Sequence, residues 1–366
     1  MKINFTDFKK EFVYLEKDLI KSFRQIGKKG SYIMGKELEI FEKNVKKYLG
    51  AKYVLGVGNW TEGMTMVCKA LNFRENDEII TVSNSFIATC GAISYAGCKP
   101  VLIDVDQTLN MDTHILEKKI TKRTRAIMPV HLSGIPADIS KISKICKKYK
   151  LIFIEDAAHA FGGRYNKKCL GTFGDVGIFS LHPRKNFHVF GDGGIIVTKN
   201  KKLFKKLSLL RNHGLINRNE SVIWGTNSRL DNIQANFGNI MIKNIEKWNN
   251  KFLEIAEYYS KTLKNFVKIP IYNHKTSKPT FHQYIIRTPK RNSLRKFLLK
   301  KGIETAIHYP KPIHKQRAFI KEYGNLKLKF TEKYSKQILS LPIHPYLSKK
   351  EINYVVRNIK LFFKKF

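Results

Sequence analysis

Between about residue 50 and residue 200 the chain alternates short apolar runs with segments of helical length. Tyr53–Val57, Glu78–Val82, Pro100–Asp104, Arg125–Val130, Leu151–Glu155, Val176–Ser180 and Gly194–Thr198 read as strands. Runs such as Leu151-Ile152-Phe153-Ile154 are apolar at consecutive rather than alternate positions, the pattern of a strand covered on both faces. Between the first five runs, Met64–Leu71, Ile87–Tyr95, Ile115–Ile120 and Ile139–Tyr149 carry helical spacing. This alternation predicts an α/β fold with a mostly parallel sheet.

Beyond Leu203 the period lengthens, and one long helix is expected from about Asp231 to Leu263. Strands at Val267–Ile271 and Phe281–Ile286 and helices at Leu294–Lys301, Phe330–Leu339 and Lys349–Phe363 then suggest a smaller α+β domain. The expected division is a large domain over residues 1–250, with an N-terminal arm, and a small one over 251–366.

The chain has 366 residues, long enough for a large core and a second domain. No run approaches the roughly 18 apolar residues of a membrane span. The start, Met1-Lys2-Ile3-Asn4-Phe5-Thr6-Asp7, lacks the apolar segment of a secretory signal. Five scattered cysteines without a C-x-x-C spacing read as reduced, packed thiols of a cytoplasmic protein. The formal net charge of +39 would attract polyanions. Because the excess lies in dispersed pairs such as Lys9-Lys10, Lys147-Lys148 and Lys364-Lys365, it reads as solvated helix faces, and no specific nucleic acid is expected.

Candidate chemistry gathers at strand ends. Asp156 closes the buried-looking run that begins at Leu151, and ligands of parallel sheets collect beyond the carboxyl ends of strands. Lys185 follows about thirty residues later, in Phe179-Ser180-Leu181-His182-Pro183-Arg184-Lys185-Asn186. An acid that keeps a pyridine nitrogen protonated and an amine that forms a Schiff base are what pyridoxal phosphate (PLP) chemistry requires. Asp156 equally suits a helix cap. With His159 three residues on it also has the spacing of a metal pair, but no third ligand stands nearby and no metal is expected. The turn Gly56 to Met64, with Thr61, leads from strand to helix and could cradle a phosphate, although such turns are common. Phe86 could stack on a cofactor ring or simply pack in the core.

Together these segments resemble the DegT/DnrJ/EryC1/StrS sugar aminotransferases, fold-type I PLP enzymes, from about Tyr32 to Phe319. The motifs are Tyr32-Ile33-Met34-Gly35, Gly58 to Gly63, Ser85 to Thr89, Pro129-Val130-His131, Glu155 to His159, Phe179 to Asn186, Gly191 to Gly194 and Asn227 to Asp231. The resemblance implies PLP as cofactor, with Lys185 as Schiff-base lysine and Asp156 at the pyridine nitrogen. It implies His159 beside the ring hydroxyl, Phe86 on the ring face, and Thr61, the backbone of Glu62, and Ser180 on the phosphate. It implies that Asn227 reaches the neighbouring subunit's cofactor in a homodimer with composite sites. It also implies L-glutamate and a nucleotide-linked keto-sugar as substrates, closest in appearance to C3 amination of a dTDP-3-keto-6-deoxyhexose. A C4 aminotransferase on a UDP- or GDP-linked sugar is the alternative, and a non-catalytic nucleic-acid-binding protein the distant one. Trp60, His188, His308, Tyr309 and His314 are the candidate substrate contacts, and Lys185 argues against the branch that carries His there and dehydrates.

Overall fold

The computed structural model describes residues 1–365. Two helices precede the sheet: α1 (Phe8–Lys29) and α2 (Lys36–Leu49). Asp7 caps α1 by accepting from Lys10 N, and Gly30 ends it in the left-handed region at φ 60°. Neither helix is anticipated by the strand-and-helix alternation, which starts only at Tyr53.

The α/β unit runs β1 (Tyr53–Val57), α3 (Trp60–Ala70), β2 (Glu78–Val82), α4 (Ala88–Tyr95), β3 (Lys99–Ile103), β4 (Thr124–Ile127), α5 (Ile139–Tyr149) and β5 (Ile152–Asp156). A small hairpin follows, β6 (Arg164–Tyr165) and β7 (Lys168–Cys169), then β8 (Val176–Ser180), β9 (Gly194–Thr198) and α6 (Lys201–Leu210). The seven-stranded sheet has the order β1-β9-β8-β5-β4-β2-β3. Only β9 runs against its neighbours, so the sheet is mixed but mostly parallel, as the alternation predicts.

Successive strand residues enter different cores, which is why the runs are continuously apolar. Val54, Phe179, Ile195 and Val197 pack on the side of α1, α2, α5 and α7 (Asn232–Met241). Leu55, Ile178 and Ile196 pack on the side of α3, α4 and α6. Between the layers Glu155 is fully buried, yet its carboxylate accepts from Gly171 N, Phe173 N and Gly174 N at 2.7–2.8 Å and meets His131 Nε2 at 3.0 Å. Four partners offset the desolvation of this charge and lock the approach to β8 against β5.

The remainder comprises α8 (Ile245–Leu263), β10 (Ser277–Lys278), β11 (Tyr284–Arg287), α9 (Arg291–Lys300), α10 (Arg317–Tyr323), α11 (Lys329–Ser335), β12 (Ile338–Leu341) and α12 (Lys349–Lys365). A second core draws on Phe252 through Phe362, and Ile3 joins it, because Ile3 N donates to Gly302 O and Glu304 N donates to Ile3 O. The N-terminal strap is thus fastened to the C-terminal part. Residue 366 of the expected small domain lies outside the described residues.

Several expected elements differ. The long helix is two, α7 and α8, broken by a turn at Ile242 to Asn244. The strand at Val267–Ile271 is reduced to a single bridge, Lys268 to Arg287, where Pro270 offers no N–H to extend a ladder. Helix Ile115–Ile120 is one 3-10 turn at Glu117–Lys119. The helix expected to reach Leu339 stops at Ser335, because Ile338–Leu341 pairs with β11 as a strand. Short apolar runs do not distinguish a helix from a buried strand until a partner is present.

Candidate active site

β5 is the middle strand of the seven, and Asp156 is its last residue. Its backbone is fixed on both sides: Asp156 N donates to Pro129 O, His131 N donates to Asp156 O, and Asp156 pairs with Ile178 of β8. Its carboxylate accepts from Thr89 Oγ1 and Ala158 N, each at 3.2 Å. Burial pushes the acid up to about 6, while those bonds and the Lys185 ammonium pull it back towards the charged form.

Lys185 stands beyond the end of β8. Burial lowers its ammonium to about 8, and Asp156 opposes that shift. The loop carrying it is held closely. Asn186 Nδ2 donates to Phe161 O and Asn249 Oδ1, Phe187 stacks on Phe161 at 4.0 Å, and Val189 N donates to Leu181 O. His159 lies on the same side, its Nδ1 accepting from Ser133 N, so its other nitrogen carries the proton of the neutral ring. Burial, followed by Lys185, His282 and His308, holds it well below the ordinary histidine range.

The turn from β1 into α3 adjoins this site. A Cβ on Gly194 would lie 2.8 Å from the carbonyl carbon of Asn59, so glycine is what allows the β9 start to pass against the turn. Asn59 caps α3, its Oδ1 taking the Glu62 N–H at 2.9 Å. The Glu62 N–H, the backbone donor expected at a phosphate, thus meets the Asn59 side chain. Thr61 is exposed at the first turn of α3, and Ser180 pairs with Gly194 two strands away from β1. Phe86, in the turn between β2 and α4, is 56% exposed, with its ring 6.0 Å from that of Tyr309, so it does not pack in the core. Asn227 is exposed, beside Ser228, whose Oγ accepts from Gly58 N of the same chain.

A cavity of about 70 Å³ opens beside Lys185 and is lined by Phe5, His188, His282, His308 and His344 among others. Burial holds His308 down to about 4, so its ring is neutral, with Nδ1 at 2.8 Å from Ser340 Oγ. Two candidate substrate contacts are elsewhere. Trp60 is 6% exposed in the core on the α3 side, because the apolar stripe of α3 begins one turn earlier than the sequence pattern marks. His314 is fully buried, with Nδ1 2.6 Å from Ser83 Oγ and Nε2 3.1 Å from Glu332 Oε1, a crossover tie with no ring nitrogen left for substrate. His188 has both nitrogens occupied as well, by Lys185 O and Glu11 Oε1. Sequence reasoning missed Thr89, His282 and the strap residue Phe5. Thr89 lies within the quoted Ser85 to Thr89 motif, but its contact with Asp156 joins the first turn of α4 to β5 across 67 residues.

An amine, a buried acid lacking a full counter-charge, an exposed aromatic ring and a hydroxyl at a helix start are the donor set for an aldehyde, a pyridinium, a ring face and a phosphate. The fold and site thus define a PLP-dependent aminotransferase. Residues 13–360 match the DegT/DnrJ/EryC1/StrS aminotransferase family, to which the chain belongs as a nucleotide-sugar aminotransferase. It is 37% identical to the dTDP-3-amino-3,6-dideoxy-alpha-D-galactopyranose transaminase of Aneurinibacillus thermoaerophilus, over 98% of this chain and 99% of that one. It is 33% identical to the UDP-2-acetamido-2-deoxy-3-oxo-D-glucuronate aminotransferase of Pseudomonas aeruginosa, over 96% and 98%. The crystal structure of S. venezuelae DesV in complex with a ketimine intermediate superposes with a TM-score of 0.96 at 32% identity, covering 99% of both chains. Family membership sets aside the reading of a non-catalytic polyanion-binding protein. Among the described residues no helix is long and apolar enough to cross a membrane, and all five cysteines are free and buried.

Proposed function

We propose that the enzyme transfers the amino group of L-glutamate to C3 of a dTDP-3-keto-6-deoxyhexose. The observation that carries the reading is the 37% identity, across essentially the whole of both chains, to a relative named for a dTDP-3-amino-3,6-dideoxyhexose. When bound, PLP supplies an electron sink for the charge left when a proton departs from the carbon bearing the amine. Asp156 would hold the proton on the ring nitrogen, and neutral His159 would sit beside the ring hydroxyl. Thr61 and Ser180 would hold the phosphate, and Phe86 would cover the ring face. Lys185, whose free ammonium burial lowers to about 8, would hold the cofactor and carry the proton to and from the substrate carbon. His308 and Tyr309 would orient the keto-sugar. Asn227 would complete the site of a second subunit, making the working form a homodimer, and the buried free thiols support a cytoplasmic setting.

The alternative, C4 amination of a UDP- or GDP-linked sugar, draws support from the 33% identity, over 92% of both chains, to a relative from Escherichia coli O157:H7 named GDP-perosamine synthase. Incubation with L-glutamate and candidate keto-sugars, followed by NMR assignment of the aminated carbon, separates the two. An amine at C3 of the dTDP sugar supports the proposal. Amination only at C4, or only of UDP- or GDP-sugars, overturns it.

A further inference from the structure

Both backbone groups of Lys185 have partners. Its N–H donates to His182 O at 2.8 Å, and its carbonyl lies 2.9 Å from His188 Nδ1. A carbonyl only accepts, so Nδ1 of His188 carries a hydrogen. On the far side of the ring, Nε2 faces Glu11 Oε1 at 2.8 Å, and one further proton is shared across that contact. Glu11 and His188 are 9% and 5% exposed, so water competes little for this bond.

Glu11 belongs to the first turn of α1, far from Lys185 in sequence. The same stretch lines the cavity beside Lys185 through Phe5, Asp7 and Phe8, and the Phe8 ring meets that of His188 edge-on at 6.4 Å. The N-terminal helix therefore reaches the main chain of the lysine through one imidazole. A lysine that both holds a cofactor and moves a proton needs a swinging side chain on a stationary backbone. Asn186 and Phe187 secure the loop on its C-terminal side, and His188 secures the carbonyl itself.

We infer that His188 and Glu11 are positioning residues, a clamp from α1 onto the Lys185 carbonyl that aims the lysine at the cofactor. This rests on Lys185 being the cofactor lysine, and it reassigns His188 from the substrate contacts. The test follows the rate at which added PLP becomes attached to cofactor-free protein, read by visible absorbance and by borohydride fixation on Lys185, together with kcat and KM. His188→Phe fills the space without hydrogen bonds and should slow attachment and lower kcat about tenfold or more, with KM for glutamate within about twofold. Glu11→Gln, whose amide can still donate to Nε2, should stay within about threefold of wild type, whereas Glu11→Leu should match His188→Phe. Wild-type attachment and kcat in a folded His188→Phe overturn the clamp. If His188→Phe does not fold, the two Glu11 variants decide: equal behaviour of Gln and Leu overturns it. Failure of PLP to attach to Lys185 in the wild type would instead overturn the cofactor assignment.

Discussion

The Thr89 hydroxyl donates to Asp156 Oδ2 at 3.2 Å, and Ser85 Oγ stands 2.7 Å behind it, on Thr89 Oγ1. Because Thr89 gives its hydrogen to the carboxylate, Ser85 supplies the hydrogen between the two hydroxyls. This chain stabilises the Asp156 anion that burial opposes. Thr89→Val keeps the shape and removes the donor. A hydrogen bond to a charged group contributes about 1.5–3 kcal/mol, so kcat should fall about 10- to 100-fold with the fold unchanged by circular dichroism. Full activity in Thr89→Val would show that the hydroxyl does not support Asp156.

Asp156 makes the cofactor-free protein sensitive to acid in an unusual direction. Its folded value, about 6, is above its unfolded one, so the native state binds the proton more tightly. The stability it contributes is therefore present below about pH 4 and lost as pH rises through about 6. Relative to Asp156→Asn, the wild type should lose on the order of 3 kcal/mol across that window, measured by urea unfolding at each pH. A flat difference between the two proteins would contradict the raised value.

Lys185 should take up PLP at lower pH than an ordinary lysine. Only the neutral amine attacks an aldehyde, and burial lowers its ammonium to about 8. The attachment rate should rise with pH and level off just above 8, where an unperturbed lysine would rise to about 10.5. Stopped-flow absorbance measures this, and Lys185→Ala should show neither attachment nor glutamate-dependent turnover.

Gly194→Ala probes the contact between the β9 start and the α3 turn. The added carbon would meet Asn59 at 2.8 Å and Val57 Cγ2 at 2.9 Å, so the turn must move. Overpacking of this kind costs about 1–3 kcal/mol, and PLP affinity should fall about tenfold or more in equilibrium titration. Unchanged affinity would place the phosphate away from that turn.

Much of the sheet can be read along the chain, and so can the places of Asp156 and Lys185 at its strand ends. The bounds of β1, β2, β8 and β9 coincide with their apolar runs, because strands covered on both faces leave an uninterrupted signal. Asp156 and Lys185 are legible for a related reason: the carboxyl end of a buried strand is a place fixed by local pattern, and the residues around it form recognisable motifs.

Contacts between distant segments are not legible in this way. Trp60 and His314 stand in suggestive sequences, yet one is core and the other ties Ser83 to Glu332. His188 does line the cavity, yet Glu11, 177 positions earlier, occupies its far nitrogen. The sequence by itself determined the α/β alternation, the lysine and the acid, because periodicity and short motifs are local properties. Only the tertiary structure decided which histidines face the cavity, where the long helix breaks, and how the N-terminal helix reaches Lys185, because burial and hydrogen-bond partners come from residues that meet only when the chain is folded.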